Sequence, residues 1–169
     1  LFVEAFTSDY LRAAKAGEET ISKNMGDGRV WFISRKDCAF AATCALNNKI
    51  IHREILNING LAPLSYSDFL NIANKATGNH ITYTKLTDDE LYAYFDSIGV
   101  PRDTNGDFSK SPIQATSEGM VSFGTCVTQG YLDVNVSDFS SLTGRLPLSI
   151  EAVFQDVENY LLGDRHPTE

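Results

Sequence analysis

With 169 residues, 43% hydrophobic and 21% charged, the chain has the makeup of one folded domain rather than of a disordered segment. A formal net charge of −8 argues against nucleic acid and anionic membrane as partners, because both need a basic surface. Cys38, Cys44 and Cys126 form no Cys-x-x-Cys pair and have no histidine set beside them. That pattern argues against a disulfide framework or a metal site and fits a reducing, cytoplasmic compartment.

Residues Phe2 to Ala16 are expected to form a helix, because Phe2, Phe6, Tyr10 and Ala14 recur at i+4 and Gly17 is placed to stop it. Met25-Gly26-Asp27-Gly28 is a turn, and Val30 to Ile33 is an apolar run of strand length. Ser34-x-x-Asp37 then opens a helix of small apolar residues, CAFAATCAL, expected to have little solvent face. A second strand is expected at Ile55 to Ile58, followed by an Asn59-Gly60 turn.

Pro63 and Ser65-x-x-Asp68 start an amphipathic helix whose buried face is Phe69, Leu70, Ala73 and Ala76, ending at Thr77-Gly78. Ile81 to Leu86 alternates and is rich in threonine and tyrosine, which predicts a strand. Thr87 and Glu90 form a capping box ahead of a helix with Leu91, Phe95 and Ile98 as its apolar stripe. Arg102 to Ser111 is a long polar loop, and Ile113 to Gln129 is a helix pattern interrupted by glycines. Asp138 to Thr143 predicts a short helix stopped by Gly144, and Pro147-Leu148-Ser149 starts the last one. No apolar run approaches the ~20 residues of a membrane span. A start at Leu1 with no leader pattern is expected of a piece of a longer protein.

No segment carries visible chemistry. Gly26-Asp27-Gly28 lacks the third glycine of a dinucleotide loop and precedes a strand, where that loop needs a helix N-terminus. Gly119-x4-Gly124 has the spacing of a phosphate loop, but Thr125-Cys126 replaces the lysine and its hydroxyl partner. Tyr-x-x-x-Lys is absent from the sequence. His52, His80 and His166 share no motif and read as surface residues. The acids Asp88, Asp89 and Glu90 suit the first turn of a helix, where they complement its dipole. Trp31, Phe32, Phe123 and Tyr131 either pack a core or line a pocket, with packing the default. On these residues alone no catalytic residue is assigned.

Four segments together resemble the C-terminal portion of NmrA-like proteins, an atypical branch of the short-chain dehydrogenase/reductase superfamily. They are Leu1 to Phe6; Val30 to Ala41, a strand and an Asp-x-Ala-like helix; Ile55 to Gly78, with its Asn-x-x-Gly-like turn, Leu-Ser-Tyr and Thr-Gly; and Thr143-Gly-Arg-x-Pro147. The resemblance implies an α/β fold: the C-terminal part of a Rossmann-type NAD(P)-binding fold plus a small, mostly helical α+β substrate lobe. Residues 1–60 would hold the remaining Rossmann elements, namely helix 2–16, helix 37–47 and a last sheet strand at 54–58. Residues 61–169 would be mostly the substrate or partner lobe.

It further implies a full-length NADP(H)-dependent oxidoreductase of the quinone or azo reductase type, its main cofactor loop lying before residue 1. The alternatives are a non-catalytic NADP(H) sensor acting through a protein partner, and a truncated product without nucleotide binding. By resemblance Phe2 and Glu4 lie at the cofactor edge, and Trp31 and Tyr131 in the substrate pocket. A small-molecule substrate or a regulatory protein is the expected partner. The chain alone is expected to be inactive and unstable, or to self-associate through apolar surface left by missing sheet partners.

Overall fold

The computed structural model describes residues 2–48, 55–134 and 136–160. Helix α1 (Val3–Ala16) buries the stripe Val3, Phe6, Tyr10 and Ala13 and ends at Gly17, whose φ of 73° is the left-handed conformation glycine tolerates best. Strand β1 (Thr20–Lys23) follows, then β2 (Arg29–Trp31). Ser34 caps helix α2 (Arg35–Asn47) by accepting from the Asp37 amide at 3.0 Å. Strand β3 (Pro63–Ser65) runs directly into α3 (Tyr66–Thr77), with the expected Ser65–Asp68 capping box. Next come β4 (Thr82–Lys85) and α4 (Asp88–Ser97), the latter opened by the Thr87–Glu90 box.

Two small sheets result. β1 pairs with β4 in parallel, Thr20 opposite Thr82, and β2 pairs with β3 antiparallel, Val30 opposite Leu64. A parallel bridge links Phe2 to Ile33. β1 was not expected: of its four residues only Ile21 is apolar and buried, so the segment has no periodicity to read.

The expected strand at 54–58 pairs with no strand among the described residues. Glu54 lies outside the described residues, and Ile55 to Ile58 belongs to no described ladder. Its backbone bonds go to a loop instead: Asn57 donates to Asp138 Oδ2 at 2.8 Å and its carbonyl accepts from the Asp138 amide at 2.7 Å. An apolar run becomes a strand only where another strand lies alongside. Ile55 is accordingly 93% exposed. Helix α2 also departs from expectation. It starts at Arg35, and of its apolar residues only Ala41 is buried, while Ala39, Phe40, Ala42 and Leu46 face outward.

The glycine-interrupted region resolves into one continuous helix, α5 (Ser117–Thr128). Gly124 serves close packing there, since a Cβ would overlap the Asn24 carboxamide. Asn24 in turn donates to Asp88 Oδ1 at 2.7 Å and to the Val121 carbonyl at 2.9 Å, tying α4 and α5 to the end of β1. Helix α6 (Phe139–Thr143) stops at Gly144 as expected. The last expected helix is divided: α7 (Ile150–Gln155) breaks at Asp156, and Val157–Tyr160 continues as a 3-10 turn.

The main core lies where α1, α3 and β2 meet. Phe6 meets Phe32 edge-on at 5.2 Å, and Phe32 stacks on Phe69 at 5.1 Å. Val127, Ile150 and Val153 close the same core, so residues on both sides of Gly60 share it. Leu91, Phe95, Val100 and Val121 form a second cluster, and Ile33, Ala41 and Phe139 a third.

Candidate functional site

A cleft of about 580 Å³ opens between β2, the segment 56–59, the inner side of α5 and the segment 131–134. Its walls are Val30, Trp31, Leu56, Ile58, Phe123, Tyr131, Leu132 and Val134, with Asn57, Asn59, Ser122 and Cys126 interspersed. Trp31 is brought here because β2 ends at it, and its indole Nε1–H donates to the Val134 carbonyl at 2.6 Å. Tyr131 follows the end of α5, at a turn where its amide bonds the Cys126 carbonyl at 3.1 Å. It stands at the rim, 69% exposed. Thus Trp31, Phe123 and Tyr131 from the sequence list line one cleft, while Phe32, the fourth, is core.

Residues 131–134 and 136–138 are bonded to the two edges of the cleft. On the β2 side Arg29 Nε donates to Asp133 Oδ2 at 3.1 Å, beside the Trp31 bond. On the other side Asn59 Nδ2 donates to the Val136 carbonyl at 2.7 Å, and Ser137 Oγ donates to the Asn59 carbonyl at 2.9 Å. Gly60 permits this arrangement, because a Cβ there would overlap the Phe32 carbonyl and push 57–60 off β2. Sequence reasoning missed Asn57 and Asn59 as cleft residues. The only available signal was the Asn-x-Asn-Gly pattern before Gly60, which reads as an ordinary turn.

Phe2 and Glu4 are not brought to the cleft. Phe2 precedes α1 and is about half exposed, at 48%. Glu4 is buried at 2% exposure; its Oε1 accepts from the Arg35 amide at 2.7 Å, so it ties α1 to the start of α2. Its Oε2, the Thr7 hydroxyl and the Tyr66 hydroxyl are buried without hydrogen-bond partners. Burial pushes the Tyr66 hydroxyl far above its ordinary pKa and raises the Cys38 thiol, which favours the protonated form of each. His80 lies in a separate hollow with Glu18 and Glu19 at the end of α1, and His52 and His166 fall outside the described residues. Among the described residues no group of three metal-ligating side chains occurs, and no helix is long and apolar enough to cross a membrane.

The glycine pairs fail structurally as they do in sequence. Gly28 packs so closely on Val127 that a Cβ would overlap that residue's carbonyl, and Asp27 beside it bonds Lys85 at 2.6 Å. Gly119 and Gly124 lie inside α5, not at a loop. The residues present therefore do not fit a dinucleotide pyrophosphate: no glycine-rich cradle of free amides exists among the described residues.

No family model matches the chain. It is 29% identical over 145 residues to agroclavine dehydrogenase of Claviceps fusiformis, covering 86% of this chain and 46% of that protein. It is 26% identical over 102 residues to an uncharacterised oxidoreductase of Bacillus subtilis, covering 60% of this chain and 36% of that protein. Its backbone matches triphenylmethane reductase of Citrobacter, solved with NADP(H), at a TM-score of 0.72 and 21% identity, over 92% of this chain and 50% of the other. It matches an NADPH-dependent quinone oxidoreductase of Escherichia coli at a TM-score of 0.70 and 19% identity, over 90% of this chain and 52% of the other. The chain spans between about a third and about half the length of the relatives it matches. It has the α/β fold found in these Rossmann-type NADP(H)-binding reductases.

Proposed function

We propose that this chain supplies the substrate-binding part of an NADP(H)-dependent oxidoreductase that reduces flat conjugated acceptors of the quinone or azo type, as an NmrA-like protein. The observation that carries the reading is the cleft, an aromatic and aliphatic slot whose Trp31 ring is pinned by its own N–H. The relatives named above are oxidoreductases, which favours the same class. In this reading residues 1–60 carry the elements that meet the dinucleotide domain and residues 61–169 the lobe. Phe2 offers an exposed ring at the cofactor edge, and Glu4 acts as a positioning residue behind it. The dinucleotide phosphates are then held by sequence outside these 169 residues, and no chemical step is assigned to the side chains here.

A second reading, an NADP(H) sensor that regulates a protein partner, is favoured by one feature. Among the described cleft residues there is no carboxylate, histidine or lysine to move a proton. Turnover separates the two. A longer protein containing this chain should oxidise NADPH with a naphthoquinone or an azo dye as acceptor. Tight NADPH binding without any turnover across such acceptors would leave the sensor. The chain as given should show no NADPH binding by calorimetric titration, and micromolar binding would refute the missing cradle.

A further inference from the structure

Two asparagine–glycine pairs occur in the chain, Asn59-Gly60 and Asn105-Gly106, and the fold treats them in opposite ways. Such a pair carries its own chemistry. The glycine amide nitrogen reaches the carbonyl carbon of the preceding side chain through a five-membered ring, and the missing Cβ leaves that approach uncrowded.

Asn59-Gly60 is held away from this reaction. The Asn59 carboxamide donates to the Val136 carbonyl at 2.7 Å, its backbone amide donates to Ser137 Oγ at 3.3 Å, and its carbonyl accepts from Ser137 Oγ at 2.9 Å. Gly60 is buried against the Phe32 carbonyl. Ring closure here requires those bonds to break first.

Asn105-Gly106 lies in the loop between α4 and α5, and both residues are exposed. They form the centre of a tight turn, with φ of 48° and 87°, closed by the Asp107 amide on the Thr104 carbonyl at 2.9 Å. The Asn105 backbone amide donates to Asp103 Oδ1 at 3.1 Å. Its carboxamide and the Gly106 amide make no hydrogen bond among the described residues. A Cβ at Gly106 would meet nothing within 4 Å, so the attacking nitrogen stands in open space.

We propose that Asn105 is a site of spontaneous deamidation in the folded chain, while the fold protects Asn59. The Gly106 nitrogen gives up its proton and bonds to Asn105 Cγ. The Cγ–Nδ2 bond breaks, and ammonia leaves with that proton. Water then opens the cyclic imide at one of its two carbonyls, giving aspartate or, with the main chain rerouted through Cγ, isoaspartate. No oxidant, reductant or cofactor enters the balance. Either product sets a new carboxylate between Asp103 and Asp107, and isoaspartate also lengthens the turn by one methylene. The exposed loop then offers a substrate to isoaspartate carboxyl methyltransferases.

The 169-residue chain is aged in mildly alkaline buffer beside a sample unfolded in urea. Peptide mass spectrometry follows both asparagines, and enzymatic carboxyl methylation counts isoaspartate. In the folded chain Asn105 should convert at least about tenfold faster than Asn59, equivalent to about 1.4 kcal/mol in barrier. In urea the two should convert at similar rates. Gly106→Ala crowds the attacking nitrogen and should slow Asn105 markedly without changing Asn59. Asn105→Ser should abolish the methylation signal from the folded chain. Equal conversion of the two asparagines in the folded chain would overturn the inference. So would an Asn105 that stays intact when folded and converts only in urea, or a methylation signal that persists in Asn105→Ser.

Discussion

Replacing Asp37 by alanine should be among the most damaging single changes outside the main core. Asp37 is 2% exposed at the first turn of α2. Its Oδ1 accepts from Arg145 Nη2 at 2.6 Å and its Oδ2 from the Leu148 amide at 2.7 Å. The carboxylate thus fastens α2 to the segment between α6 and α7, some 108 residues away. A hydrogen bond to a buried charged group contributes about 1.5–3 kcal/mol. The Leu148 bond takes about 2 kcal/mol of that range. The Arg145 side chain is 42% exposed, so its share is screened to about 1 kcal/mol.

The sum for Asp37→Ala is therefore about 3 kcal/mol, which in a domain of this size lowers the Tm by about 6–12 °C. Arg145→Ala should cost about 1 kcal/mol for the ion pair, together with its contact over the Phe40 ring at 4.6 Å. Chemical denaturation followed by circular dichroism reads both variants against the parent. An Asp37→Ala loss under about 1 kcal/mol, or one no larger than that of Arg145→Ala, would refute the assignment of most of the energy to the Leu148 amide.

Asp9 gives a pH prediction. Burial raises its pKa, but Lys23 at 2.7 Å and Arg12 at 2.8 Å outweigh that, and the net value lies below the ordinary 3.8. A carboxylate depressed on folding stabilises fully above its unfolded pKa and loses that contribution as pH falls through the lower folded value. Stability should therefore drop below about pH 4, and Asp9→Asn should flatten that part of the curve; an unchanged acid slope would count against the pairing. Gly124→Ala should destabilise by a few kcal/mol through overlap with Asn24, measured by thermal melting. Tyr66→Phe should be neutral or slightly stabilising, because it deletes a buried hydroxyl that has no partner; a loss above about 1 kcal/mol would reveal a bond to that hydroxyl. Leu46, 88% exposed on α2, together with Phe40 should drive association of the isolated chain, so Leu46→Glu should shift sedimentation toward monomer.

Local chemistry was legible wherever a residue acts on its near neighbours. Gly17, Gly78 and Gly144 end helices in the left-handed conformation, and Ser34, Ser65 and Thr87 cap them through their own hydroxyls, as the sequence patterns predict. These signals are short-range, with partners three or four residues away. Strands were another matter. β1 carries a single buried apolar residue, and its existence depends on β4 lying beside it some sixty residues later. Ile55 to Ile58 has the composition of a strand but joins no ladder among the described residues.

The site divides along the same line. Spacing on its own showed that no glycine-rich phosphate-loop motif and no Tyr-x-x-x-Lys is written in these 169 residues. The residues alone offered Trp31, Phe32, Phe123 and Tyr131 as aromatics of core or pocket, and the family resemblance picked out Trp31 and Tyr131. Only the tertiary structure decided that these two share a cleft while Phe32 does not, and that Glu4 turns inward to the Arg35 amide. The physical reason is range. A cap or a stop is settled within one helical turn, whereas a cleft exists only where segments far apart in sequence are held by specific bonds, here Trp31 to Val134 over 103 residues and Asn59 to Val136 over 77.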